Sequence, residues 1–172
     1  SPAAARERYR AALALWRGPV FDGVPLEAAA GERTELEETR LAALEERLDL
    51  DIELGGAAEA VPELEQLVRQ DPFRERAWAQ LMLALYRSGR QAEALEAYRD
   101  GRQVFVEELG IDPAPALQEL EGAILRQDPQ LGGQETLPAR QASARAILVA
   151  AESAETLDAL LVVAEPLAAH SG

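Results

Sequence analysis

Shifted by 34 residues, the chain matches itself: Gly55 falls on Gly89, Ala60 on Ala94 and Leu64 on Tyr98. A unit of that size cannot bury an apolar face alone. Repeated units must stack, and this constrains the fold more than any single motif. The matched residues suit a helical hairpin. A turn glycine takes backbone angles that a side chain resists. A small alanine lets two helices approach closely, while large residues such as Trp78 and Leu81 fill the groove between one hairpin and the next. The copies are degenerate. Arg47 and Asp51 stand at apolar positions of the first, Met82 at a small position of the second, and Val106 where a proline would close the unit. The sequence therefore predicts two irregular repeats and a capping helix pair. The alternative is a non-repeating helical bundle whose glycines happen to share this spacing.

Thirty-four residues is the tetratricopeptide period, and the segments between turn signals agree with helices. Ala and Leu supply 34 and 26 of the 172 residues, and both are strong helix formers. Ser1-Pro2 reads as an N-cap and first-turn proline, opening a helix to about Trp16 that Arg17-Gly18-Pro19 stops. Residues 20–25 read as a turn-rich loop. A long helix follows over about 26–54, with Leu41, Leu44, Leu48 and Ile52 on one face and Gly55-Gly56 closing it. Residues 57–70 carry Ala60, Val61, Leu64, Leu67 and Val68 as one stripe. Asp71-Pro72 reads as the end of that helix and the cap of the next, over 73–88. Residues 90–109 form a further helix that Gly110 ends, and Asp112-Pro113 opens another to about Gln127.

The expected fold class is therefore all-α. Over residues 1–131 it is a tetratricopeptide-like helical hairpin array of about six or seven helices with antiparallel neighbours. Residues 132–145 read as a linker. Residues 146–172 read as a short C-terminal strand-helix appendage, the opening unit of an α/β domain.

Charge and composition narrow the function. All 17 basic residues are Arg, 31 residues are acidic, and the net charge is −14. Such a chain repels phosphate backbones and is not expected to grip DNA by itself. Without cysteine it cannot be a disulfide scaffold. Its one histidine, His170, lies two residues from the end, which leaves no zinc site and no histidine-based hydrolase. Glu107-Glu108 beside Gly110 read as turn chemistry, not paired catalytic carboxylates. Residues 132–136 lack the Lys-Ser/Thr of a phosphate loop. No catalytic residue, cofactor or metal is expected. The N-terminus has no apolar segment of a signal peptide, and the apolar runs are far shorter than the roughly 20 residues of a membrane helix. A cytoplasmic protein without membrane contact is expected. The missing initiator methionine suggests a piece of a longer protein.

Several motifs then occur in a fixed order. Ala14-Leu15-Trp16-Arg17-Gly18-Pro19 leads to Glu32-Arg33 and residues 36–40. Asp71-Pro72-Phe73-Arg74-Glu75 leads to residues 81–95, then Tyr98, Arg102, residues 107–113 and Leu117. Across residues 10–131 this set resembles the bacterial transcriptional activator domain of the SARP family, antibiotic regulatory proteins of actinobacteria. The resemblance implies a tetratricopeptide-like module that supports dimerisation and transcription activation. Its implied partners are a second copy of itself (a homodimer) and RNA polymerase, the latter through the full-length regulator. DNA would be bound only by a winged-helix domain preceding residue 1 and missing from this chain. Residues 145–150 and 157–169 are similar to the first strand and helix of a universal-stress-protein-like domain, which would be truncated in this chain.

Candidate site residues fall into two groups. Gly55, Ala60, Leu64, Trp78, Leu81, Gly89, Ala94 and Tyr98 are structural repeat positions. Trp78 and Tyr98 are expected in the core rather than in a peptide groove, and Trp16 with Phe21 is expected to pin the loop onto the helical body. Arg74, Arg76, Arg87, Arg90, Arg99 and Arg102 are the densest basic cluster, a candidate patch for a carboxylate-ended peptide or a phosphate. The alternative is that each answers a carboxylate three or four residues away, as Arg99 would with Glu96. Two functions fit: a non-enzymatic interaction and dimerisation module of an activator that helps recruit RNA polymerase, or a free-standing tetratricopeptide-like adaptor that binds peptides.

Overall fold

The structure is a computed structural model that describes residues 1–16, 18 and 30–132. The expected linker beyond Gly132, the strand-helix appendage, Phe21 with its loop, and the start of the long helix lie outside the described residues. Among the described residues there are six α-helices and no strand. They are α1 (Pro2–Leu13), α2 (Ala30–Glu53), α3 (Ala57–Gln70), α4 (Glu75–Arg87), α5 (Gln91–Val104) and α6 (Pro115–Leu125). All of these residues belong to one unit, Ser1–Thr136.

The hairpins are those the period predicts. α2 pairs with α3 and α4 with α5, while α3 also lies along α4 and α6 caps α4 and α5. Gly55 and Gly89 turn the two hairpins with positive φ, +91° and +78°. After α2 the Gly56 N–H donates to the Asp51 carbonyl at 2.7 Å, and after α4 the Arg90 N–H donates to the Leu85 carbonyl at 2.9 Å. Each bond spans five residues and satisfies a carbonyl the helix end leaves open. A Cβ on Gly89 would meet open space, so its substitution tests backbone conformation alone. Gly89→Ala should cost about 1–2 kcal/mol, read as a lower urea midpoint. An unchanged midpoint would show that the turn tolerates a side chain.

The core runs along α4, whose Ala77, Trp78, Leu81, Met82, Ala84 and Leu85 are all buried. Leu48 and Ile52 of α2, Ala60 and Leu64 of α3, Ala94 and Tyr98 of α5, and Leu117 and Ile124 of α6 close around it. Every apolar repeat position named from the sequence is in this core. Met82, which replaces a small residue of the repeat, is fully buried. Ser1 caps α1, its hydroxyl accepting the Ala4 N–H, with Pro2 in the first turn. Yet α1 buries none of its residues.

The two Asp-Pro pairs expected to open helices, at 71–72 and 112–113, do not. Asp71 ends α3 and its carboxylate accepts Arg74 Nε at 2.8 Å, so α4 starts three residues after Pro72, at Glu75. Asp112 accepts Arg102 at 2.8 Å, and the first-turn proline of α6 is Pro115, not Pro113. In both places the carboxylate accepts an arginine and makes no capping bond to the helix that follows. The helix expected over 90–109 also divides: α5 ends at Val104, and Phe105–Leu109 forms one π-helical turn closed by Gly110 at φ +69°. Likewise α1 stops at Leu13, short of Trp16. Trp16 instead lines, with Leu13 and Leu44, a cleft of about 420 Å³ between α1 and α2.

Candidate functional site

The six clustered arginines do not form one patch. Arg74 and Arg76, at the start of α4, reach across to α2. Arg74 meets Glu38 and Glu45 of α2 as well as Asp71, and Arg76 meets Glu46 and Asp49, each at 2.6 Å. Burial works against the Arg74 charge, but the Asp71, Glu45 and Glu38 carboxylates outweigh it and raise its pKa. The Asp49 hydrogen bond, opposed by desolvation and joined by Glu46, likewise raises that of Arg76. These ties join the start of α4 to α2.

The other four are spent locally or on backbone. Arg87 donates to the Leu131 carbonyl at 2.9 Å and to the Ile52 carbonyl at 3.3 Å, joining the end of α4 to the ends of two other segments. Arg90 grips Glu93 three residues on, and that hydrogen bond lowers the Glu93 pKa. Arg102 holds Asp112. Arg99 donates to the Leu95 carbonyl at 3.2 Å; the expected pair with Glu96 is not made. The local pairing expected from the sequence thus describes Arg90 and part of Arg74, while Arg76 and Arg87 bridge elements far apart in the chain.

A second charged cluster is not apparent from the sequence. Asp51 of α2, 7% exposed, accepts Arg47 Nη1 at 2.6 Å and Arg10 of α1 at 3.0 Å, with Arg6 at 3.8 Å. Arg47, 9% exposed, also meets Glu63 of α3. Arg47 and Asp51 are the two residues that break the apolar pattern of the first repeat. Opposite charges four apart at positions meant to be apolar are the signal that points to it. Together the cluster ties α1 to α2 through Asp51 and α2 to α3 through Arg47 and Glu63.

Among the described residues no group of His, Cys, Asp and Glu is arranged to hold a metal ion, and no helix is long and apolar enough to cross a membrane. What the residues build is a stack of helix pairs with charged rims. Residues 1–125 match the family described as the bacterial transcriptional activator domain. The chain belongs to that family. It is a SARP-type activator domain, and its relatives are transcriptional regulators, not enzymes. The domain is 51% identical over 140 residues to the regulatory protein AfsR of Streptomyces coelicolor, covering 81% of this chain and 14% of that protein. To the regulatory protein DnrI of Streptomyces peucetius it is 47% identical over 126 residues, 73% of this chain and 46% of the relative. The fold matches the solved structure of Mycobacterium tuberculosis EmbR in complex with a low-affinity phosphopeptide, with a TM-score of 0.71 and 38% identity. That match covers 74% of this chain and 35% of EmbR. The activator domain thus spans less than half the length of each of these relatives.

Proposed function

We propose that this chain is the interaction and dimerisation module of a SARP-type transcriptional activator that works in the cytoplasm. The module holds two copies of the regulator together and presents its helical stack to RNA polymerase. Promoter DNA is bound by a separate winged-helix domain of the full-length regulator. The module itself catalyses nothing and needs no cofactor. The observation that carries this reading is the family match over residues 1–125, joined to a net charge of −14 that opposes direct contact with a phosphate backbone. Stacked helix pairs supply the extended surface that such protein contacts need.

The test has three arms on the purified chain. Light scattering should give the mass of a dimer; a clean monomer at high concentration would remove the dimerisation role. RNA polymerase should retain the chain in a pull-down, and failure to do so would remove the recruitment role. A gel shift with promoter DNA should show no complex, whereas tight, salt-sensitive binding would contradict the division of labour.

A further inference from the structure

After α6, residues Pro129–Gly132 form a 3-10 turn that lies on α4. Leu131 of this turn is half-buried against the core, and its carbonyl accepts Arg87 Nε at 2.9 Å. The turn is otherwise bonded within itself: the Leu131 N–H donates to the Asp128 carbonyl, and the Gln130 N–H to the Asp128 carboxylate. Among the described residues, the Arg87 bond is the one hydrogen bond that runs from this turn to another element. The root of the turn is strained. Gln127, at φ +54°, is the one described non-glycine residue with positive φ. The Gln127 N–H donates to the Ile124 carbonyl and the Asp128 N–H to the Ala123 carbonyl, the pattern with which helices end on glycine. Glycine takes that conformation without penalty, and glutamine does not.

Arg87 is unusual in a second way. It is only partly exposed, yet it meets no carboxylate among the described residues. Nε donates to the Leu131 carbonyl and Nη1 to the Ile52 carbonyl, while Nη2 donates to nothing among the described residues. Nε and Nη2 share one edge of the guanidinium, an edge that can grip a carboxylate through two parallel bonds. The Leu131 carbonyl uses half of that edge and brings no charge to it.

We propose that the seat of Leu131 on α4 binds the C-terminal residue of a protein partner, and that Pro129–Gly132 is a strap that fills this seat in the free domain. The partner ends in Leu or a similar apolar residue. Its terminal carboxylate takes Nε and Nη2 of Arg87, and its side chain takes the place of Leu131. A charge-assisted fork replaces a single neutral bond, which favours the exchange. Gln127 is free to leave its strained conformation once the strap lifts. The assignment goes beyond the dimerisation and polymerase reading and does not rest on it, since it names a surface and a ligand chemistry that the reading leaves open.

The probe is a short synthetic peptide ending in Leu with a free carboxylate; the control is the same peptide with a C-terminal amide. Calorimetry on the full chain should show saturable binding of the acid and about tenfold weaker binding of the amide. Leu131→Ser removes the apolar anchor of the strap and leaves Arg87 in place, so the acid should bind about tenfold tighter to that variant. Arg87→Met should bring the acid down to the affinity of the amide. Arg87→Lys keeps the charge but loses the fork, and should weaken the acid about tenfold with the helical circular dichroism unchanged. Equal binding of acid and amide, no binding of the acid to the Leu131→Ser chain, or binding by that chain no tighter than by the native one would each overturn the proposal. The light-scattering and gel-shift results above are independent of these outcomes.

Discussion

Trp78→Ala should destabilise the domain by about 3–5 kcal/mol, a large part of the stability of an ordinary domain. Trp78 is 7% exposed and occupies the space where α3, α4 and α5 meet. Truncation removes the largest side chain there and leaves a cavity. It also leaves the Pro72 carbonyl without its indole donor, a further cost. The size of the loss comes from how closely the ring is held. Gly101 is the position on α5 that admits it, since a Cβ would press on three ring atoms at 2.9–3.2 Å. Gly101→Ala should therefore be destabilising in the native chain, overpacking outweighing the roughly 1 kcal/mol gained in helix propensity. In the Trp78→Ala background the clash is gone, and the same change should be neutral or stabilising. The two effects should fail to add by more than the few tenths expected of independent sites. Urea unfolding followed by circular dichroism gives all four values. A Trp78→Ala midpoint equal to the native one would refute the burial, and strict additivity would refute the contact.

The sequence shows the parts of this fold that depend on one residue type at one place. Gly55 and Gly89 are legible because their positive φ is a conformation that few other residues take. The bounds of α3, Ala57–Gln70, are legible because a glycine precedes and Asp-Pro follows an unbroken apolar stripe. Asp-Pro is ambiguous where a helix is to begin. Asp71 and Asp112 each accept an arginine and cap no following helix, and helical spacing does not encode that outcome. The arginine cluster shows the same limit. Clustering in sequence says that six cations are near one another, but Arg76 answers α2 and Arg87 answers the carbonyls of Ile52 and Leu131. Their partners lie roughly one repeat away and are fixed only once the hairpins stack. Arg47 and Asp51 are visible as departures from the pattern. Their purpose is not, because Arg10, which explains Asp51, comes from a helix outside the repeats.

That departure supports the second large effect. Asp51→Ala should lower stability by about 2–3 kcal/mol, less than the full 3–5 for orphaning a buried charge, because Arg47 keeps Glu63. The loss should be uneven. α1 buries no residue, so Asp51 contributes heavily to its attachment through Arg10 and Arg6. Hydrogen exchange should show the amides of α1 losing protection while those of α3 and α4 keep most of theirs. Replacing the pair together, Arg47→Leu with Asp51→Leu, restores the apolar residues that the repeat calls for. Exchanging a buried ion pair for packed apolar groups is often neutral or stabilising, so the hairpins should retain or gain stability. α1 should still be released, because Arg10 has lost its acceptor on α2. That separation of effects distinguishes a clasp for α1 from a general stabiliser of the core. Native-like protection of α1 in the double Leu variant would mean that packing alone holds the helix and that the charged cluster has some other purpose.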